Sequence, residues 1–430
     1  MDGTYKKIGI LDHMGWGNLG DAALQEVFIA NIKKRLPDAC LIAFSLNPDD
    51  TRERHNIASY PIIWSYTRCN GSDSLPAKAA DLNSKLKSLL KRFNIFYALA
   101  KPIRNSVREV AHLIGSYRVV RSLDLLVLSG GGQLCELWRG PWSHPYNVFK
   151  FCVLAKLART PVFIVGVGAG PLNHPLSKFF AKWSVRLSRY TSFRDAESQA
   201  LLRALSAKTK TYVYPDPAYA LDLSDYATAK PEKRSRPKVG LNPIGFCDPR
   251  RWAPREDEAI YRRYLDKLAA FSSWLLAHNY DLEVFTAEIS VDRYAIEDLG
   301  KMLPKDASPN GTSRVTCTPV LNLKELLAQM ATFDFVITAK FHGVIFSHLL
   351  AKPVIALSYH PKIDDLMRTV GHDRYCLDIE HFDVASLIET FELLVQNSDD
   401  LSSRFRRTAE TYGNAVQAQF DNLFHPRLQE

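Results

Sequence analysis

The 430-residue sequence predicts two α/β domains in tandem, each a parallel sheet covered by helices on both faces, with a cleft between them. Three observations carry this. Short apolar runs alternate with runs of helical period along most of the chain. The alternation lapses once, in the polar and proline-bearing stretch Asp222–Pro237. Finally, 46% hydrophobic residues supply apolar material for two cores, and a single core stops growing near ~250–300 residues.

The elements follow in order. Lys7–Leu11 reads as a buried strand and Asp21–Leu36 as an amphipathic helix with Leu24, Val27, Phe28 and Ile32 on one face, ended by Pro37-Asp38. Strands are expected at Cys40–Ser45, Leu123–Leu128, Pro161–Val167, Ser192–Arg194 and Thr211–Tyr214. Helices are expected at Asn147–Leu157, Leu176–Leu187 and Glu197–Leu205. Residues 1–225 are thus assigned to an N-terminal domain and 226–238 to a linker. Residues 239–430 form a C-terminal domain with strands at Val239–Leu241, Leu282–Phe285, near Val315, Phe335–Thr338 and Val354–Leu357. Helices there cover Tyr261–His278, Asp292–Met302, Leu323–Met330 and Gly343–Leu350, and the chain closes on a C-terminal helix. Ligands of such sheets bind at the strand carboxyl ends, so the loops of both domains are expected to face the cleft.

The net charge of +9 invites an anionic partner without choosing one. Asp81–Ser122 breaks the alternation and carries nine basic residues against two acidic ones. Leu82, Leu86, Leu89, Leu90, Phe93 and Phe96 recur there at helical spacing. The segment reads as a basic amphipathic helical insertion, either a solvated face over a core-facing stripe or a peripheral contact with a membrane or an acceptor. It holds no nucleic-acid motif. Seven scattered cysteines without a C-x-x-C pair argue against a disulfide scaffold or a zinc cluster, and no run of apolar residues is long enough to span a membrane. A cytoplasmic protein is expected.

Gly15-Trp16-Gly17-Asn18-Leu19-Gly20-Asp21 matches G-x-G-x-x-G before a helix, but Asp21 at the helix start would repel a pyrophosphate, and no acidic residue stands ~20 positions on. The glycines alone do not explain the polar pair Asn18 and Asp21. Two further glycine turns, Gly130–Gly132 and Gly166–Gly170, also follow strands, and their backbone N–H groups suit an anion. Arg194 stands at a strand end with Ser198 in the next helix's first turn, which suits a carboxylate or phosphate. Asp216 reads as a turn residue. Lys340 and His342 share a strand-to-helix turn, which joins a cation to a titratable imidazole, and Tyr359 and Lys362 follow the next strand.

Taken in order, Gly17–Leu24, Gly130–Gly132, Gly166–Gly170, Arg194–Ser198, Asp216–Ala218, Lys340–Gly343, Tyr359 and Lys362 resemble the polysaccharide pyruvyl transferase family. The resemblance implies two Rossmann-like domains in a glycosyltransferase B-like arrangement. It further implies transfer of the enolpyruvyl moiety of phosphoenolpyruvate to a sugar or lipid-linked oligosaccharide as a pyruvate ketal, with phosphate released. On this reading His342 protonates the donor's methylene carbon, and Asp21 or Glu136 orients or deprotonates the acceptor hydroxyl. Arg194 and Lys340 hold the donor's carboxylate and phosphate, with Asn18, Gly131, Gly168, Ser198, Tyr359 and Lys362 completing the substrate site. No cofactor or metal is implied, phosphoenolpyruvate being a co-substrate. One position departs from the family: Lys340 stands where an arginine is common, which keeps the charge and loses the bidentate fork. A nucleotide-sugar glycosyltransferase of the same architecture is the alternative.

Overall fold

A computed structural model describes residues 5–12, 15, 17–64, 107–137, 140–205, 209–226, 235–250, 255–288, 291–303 and 314–424. Seven strands form the first sheet: β1 (Lys7–Leu11), β2 (Cys40–Ser45), β3 (Ala58–Pro61), β4 (Leu125–Ser129), β5 (Val162–Val167), β6 (Tyr190–Phe193) and β7 (Tyr212–Val213). All pairings are parallel, in the order β3-β2-β1-β4-β5-β6-β7. The second sheet contains β8 (Lys238–Asn242), β9 (Asp281–Val284), β10 (Val315–Thr316), β11 (Phe335–Thr338), β12 (Val354–Ser358) and β13 (Cys376–Asp378), in the order β10-β9-β8-β11-β12-β13. The order reverses between β1 and β4 and again between β8 and β11, which opens a crevice at the carboxyl edge of each sheet.

Helices cover both sheets. Six belong with the first: α1 (Leu19–Arg35), α2 (Pro48–His55), α3 (107–120), α4 (His144–Ala158), α5 (Pro175–Leu187) and α6 (Ala196–Leu205). With the second are α7 (Glu258–Ala277), α8 (Arg293–Met302), α9 (Leu323–Ala331), α10 (Phe341–Leu349), α11 (Pro361–Thr369), α12 (Val384–Gln396) and α13 (Ser398–Phe424). The central strands are almost wholly buried, so they read as unbroken apolar runs rather than alternating ones.

Two elements, α2 and β3, escaped the sequence reading. α2, with the sequence PDDTRERH, buries only Pro48 and Thr51, so no apolar period announces it. Its signals are its ends: Asn47 accepts from the Asp50 N–H, Pro48 opens the helix, and Asn56 closes it in the left-handed region. The segment from α11 to α12 was likewise not anticipated. Of the basic insertion, residues 81–106 lie outside the described residues, and 107–120 are helical.

One buried cluster runs continuously from one face of the first sheet into the second sheet, and another fills the opposite face of the first sheet around Phe44, Phe151 and Leu128. The last helix ties the two units together. Phe420 of α13 packs edge-on against Phe28 of α1 with centroids 5.1 Å apart, and Tyr412 does the same on Tyr219. Gln419 donates to Ser192 Oγ at 2.6 Å, and Phe405 packs on His348 of α10. A Cβ on Gly413 would lie 2.9 Å from the Tyr219 carbonyl, so only glycine permits this approach. Burying Phe420 contributes on the order of 2–3 kcal/mol, which holds the cleft walls in register.

Candidate active site

The first wall of the cleft is built at the carboxyl ends of β1, β4 and β5. Asp12, directly after β1, is buried and accepts from Ser129 Oγ at 3.1 Å and Gln133 Nε2 at 2.5 Å, which orders the turn after β4. Gly130 and Gly131 both take positive φ there. This turn is zipped to the turn after β5: Gly168 N–H donates to the Gly131 carbonyl at 2.8 Å, and Gly170 N–H donates to the Leu134 carbonyl at 2.8 Å. The N–H of Gly168 is therefore committed, which corrects its assignment as an anion-binding donor. The value of Gly168 is its missing side chain, since a Cβ would lie 2.7 Å from Arg194 Nε. Ser198 is also spent on the scaffold: its Oγ accepts from Ala169 N–H at 2.8 Å and clamps that turn. Gly131 lies beside Asp21, its Cβ direction ending 4.0 Å from Asp21 Oδ1.

Arg194, directly after β6, is held on three sides. Its Nη1 donates to Asp216 Oδ2 at 3.0 Å, its guanidinium lies 4.3 Å from the Phe341 ring centroid, and Gly168 backs it. The side chain is 6% exposed, yet Nε makes no hydrogen bond among the described residues. Asp216 is the turn residue expected, its Oδ1 accepting from Ala218 N–H at 3.0 Å, and it is also a meeting point of the two units, since the same oxygen lies 3.9 Å from His342 Nε2. It thus bridges an arginine of the first unit and a histidine of the second. The sequence signals for this are an aspartate between two prolines after a strand and the place of Asp216–Ala218 in the ordered set that resembles the family.

The second wall meets the first at the start of α1. Asn18 caps that helix, accepting from Gly20 N–H at 2.9 Å, and its backbone pairs with Glu288 beyond β9. Asn18 is therefore a cap and an inter-domain latch rather than a ligand group. His342, in the first turn of α10, lies flat against Gly20, where a Cβ would fall 2.1 Å from Nδ1. Lys340 caps α10 with its backbone, and its Nζ is paired with Glu288 and, at 2.6 Å, with Asp292 Oδ2. Its charge is already matched by two carboxylates, which corrects the expectation that it holds the donor's phosphate. Lys362 takes over as the available cation. It lines the cleft near Phe341 and Tyr359 and makes no ion pair among the described residues. Tyr359 is half-buried and forms the wall beneath that ammonium.

Electrostatics separates the two titratable groups. Burial in the cleft and the neighbouring Glu288 push the Asp21 carboxyl up to about 6, against the opposing pull of Lys362, Arg194 and Lys340. Burial drives the His342 imidazole down to about 4, and Arg194 and Lys362 push the same way while Asp216 opposes them. His342 is consequently neutral near pH 7 in the protein by itself, so a proton that it delivers must first be taken up. Glu136 leaves the acceptor role as well. Burial would raise its pKa, but hydrogen bonds from the Asn173 and His174 N–H groups, just ahead of α5, outweigh this and hold it low. A cavity of about 420 Å³ adjoins these groups, lined by Arg194, Asp216, Phe341, Lys362 and Tyr412 of α13.

Comparison with known proteins agrees with this architecture. Residues 18–361 match the model of the family described as polysaccharide pyruvyl transferase. Among solved structures, MnaA of S. aureus in complex with UDP is 10% identical with a TM-score of 0.59, over 98% of this chain and 97% of that one. The UDP-GlcNAc 2-epimerase of Neisseria meningitidis bound to UDP-GlcNAc is 12% identical with a TM-score of 0.59, over 97% of this chain and 99% of that one. MurG of Acinetobacter baumannii is 13% identical with a TM-score of 0.50, over 97% and 98%. At these identities the likeness is one of fold: two Rossmann-like domains in the glycosyltransferase B arrangement.

Proposed function

The chain belongs to the polysaccharide pyruvyl transferase family, and we propose that it moves the enolpyruvyl moiety of phosphoenolpyruvate onto two hydroxyls of one sugar in a polysaccharide or lipid-linked glycan. The observation that carries this reading is the Asp216 bridge, which sets Arg194 and His342 around one carboxylate with Lys362 close by. Two cations at one cleft suit a small donor bearing both a carboxylate and a phosphate.

The steps balance in atoms and charge. The donor's C3 methylene gains a proton and becomes a methyl group, leaving an oxocarbenium-like C2 that one sugar hydroxyl attacks. Phosphate then departs with its oxygen, and the second hydroxyl closes the ketal at C2. Of the two hydroxyl protons released, one replaces the proton delivered to C3 and the other leaves with the phosphate. Arg194 and Lys362 bind the anionic groups and stabilise the departing phosphate. An anionic donor beside His342 favours the imidazolium, so the imidazole takes up the proton it delivers as the donor binds. Asp21, with a pKa raised towards neutrality, accepts the hydroxyl proton. Lys340 fixes the turn that carries His342 through Glu288 and Asp292.

The testing experiment is a thermal melt with millimolar phosphoenolpyruvate, run beside phosphate release in the presence of candidate sugars. Stabilisation and sugar-dependent phosphate release are expected. Stabilisation by a nucleotide sugar with none by phosphoenolpyruvate would select the nucleotide-sugar glycosyltransferase instead, a reading favoured by the UDP in the S. aureus structure.

A further inference from the structure

From Leu137 to Arg194 the sequence contains nine lysines and arginines and no aspartate or glutamate, a net charge larger than that of the 81–122 insertion. Lys150 and Arg194 turn inward, and much of the remainder surfaces on α5. That helix presents Leu176, Phe179 and Trp183 outward at helical spacing, with Lys178, Lys182 and Arg186 beside them and no acidic residue along its length. Phe179 is 46% exposed and Trp183 37%, while Trp142, just before α4, is 64% exposed. These are outer members of a packed aromatic cluster: Trp142 meets Phe180 at 5.6 Å and Phe179 meets Trp183 at 6.1 Å.

We propose that this face of α4 and α5 docks on an anionic lipid bilayer. Large apolar side chains exposed in a row and flanked by cations form the pattern of a helix lying in the membrane interface, with rings at the headgroup level and ammonium and guanidinium groups on the lipid phosphates. α5 carries no acid, and Glu136 at its start is engaged by the Asn173 and His174 N–H groups, so the three cations of the helix give the charge complementarity. A second copy of the chain fits poorly, because it would bring two cationic faces together. α4 and α5 both begin on the carboxyl side of their preceding strands, so Trp142 and Leu176 stand towards the carboxyl edge of the first sheet, the edge that faces the cleft. Docking there brings a lipid-linked sugar to the opening of the cleft; this last consequence rests on the proposed function, whereas the docking itself does not.

The test uses the full chain and vesicles of phosphatidylglycerol with phosphatidylcholine, against pure phosphatidylcholine, in a sedimentation assay. Salt-sensitive binding to the anionic vesicles alone is expected. Phe179→Ser with Trp183→Ser should weaken it about tenfold, and Lys178→Gln, Lys182→Gln and Arg186→Gln together about a hundredfold. The aromatic pair should lower the melting temperature by a few degrees through lost ring packing and the charge variant should leave it unchanged, while the shift caused by phosphoenolpyruvate should be unchanged in both variants. The proposal is overturned if the wild type ignores anionic vesicles or both α5 variants bind like the wild type. Tighter binding of a single-stranded oligonucleotide through the same residues, or a dimer in solution that these variants dissociate, would also overturn it. Because vesicle binding is read without donor or acceptor, it stands or falls separately from the phosphoenolpyruvate melt.

Discussion

His342 is seated on Gly20: a Cβ at that position would stand 2.1 Å from the imidazole Nδ1 and 2.8 Å from its Cβ. A residue in the first turn of one domain's opening helix therefore sets where the other domain's histidine lies. Gly20 takes no positive φ, so alanine meets no backbone penalty there and gains helix propensity. All of its cost falls on the histidine.

Gly20→Ala is accordingly expected to lower kcat/KM by at least about a hundredfold, with the melting temperature down by only a few degrees. The decisive measurement is a double-mutant cycle. In a His342→Ala background the clash with the ring disappears and only the contact with the Cβ remains, so Gly20→Ala should then cost much less stability, and the two changes should be non-additive.

Lys340 and Lys362 should part company when each is changed to methionine. Lys340 neutralises Glu288 and the buried Asp292, and removing it strands two carboxylates, for an expected loss of about 3–5 kcal/mol. Lys362 makes no ion pair among the described residues and lines the cleft. Its loss should leave the urea midpoint nearly unchanged while raising the KM for donor roughly tenfold or more. The reverse pattern would restore Lys340 as the phosphate ligand.

Asp21 links stability to activity with opposite signs. The folded protein keeps its proton up to about 6, against an ordinary value of 3.8, so ionising it weakens the fold progressively as pH rises through that window. Asp21→Asn should therefore stabilise the protein at pH 7 by up to about 3 kcal/mol and not at pH 4. The same variant should lose turnover. In the wild type, kcat/KM should fall below about pH 6 as the base becomes protonated.

The buried histidines set the acid limit of the fold. Burial holds His342, His144 and His372 near 4 and His348 near 3, all below the ordinary 6.5. Their folded forms bind fewer protons than the unfolded chain between those values, so stability is complete above about 6.5 and drains away as pH falls towards 4. Melting temperature against pH should drop steeply across that interval. Calorimetry in buffers of different ionisation heat should show about one proton taken up on phosphoenolpyruvate binding, and none in His342→Ala.

The elements with a strong apolar signal were legible in the residues alone. Lys7–Leu11 and Phe335–Thr338 emerge with the bounds their runs suggested, because strands buried on both faces must be apolar throughout. Helix α2 was hidden because it buries almost nothing.

The α/β alternation, the two sheets, the family motifs and the nearness of Arg194 and His342 to strand ends are consequences of local pattern, and the chain carries them in its sequence. Which charge is spent and which is available is not local. Lys340 is matched by Glu288 and Asp292, some fifty positions away in sequence, Gly168 N–H is bound by Gly131, and Asp216 pairs with Arg194 of its own domain and reaches across the cleft to His342. A hydrogen-bond donor or a cation shows its type in the sequence, but its partner is chosen by packing at distances of three to four ångströms. The pKa values of Asp21 and His342 follow from the same packing, since burial and neighbouring charge exist only once the two domains have closed on one another.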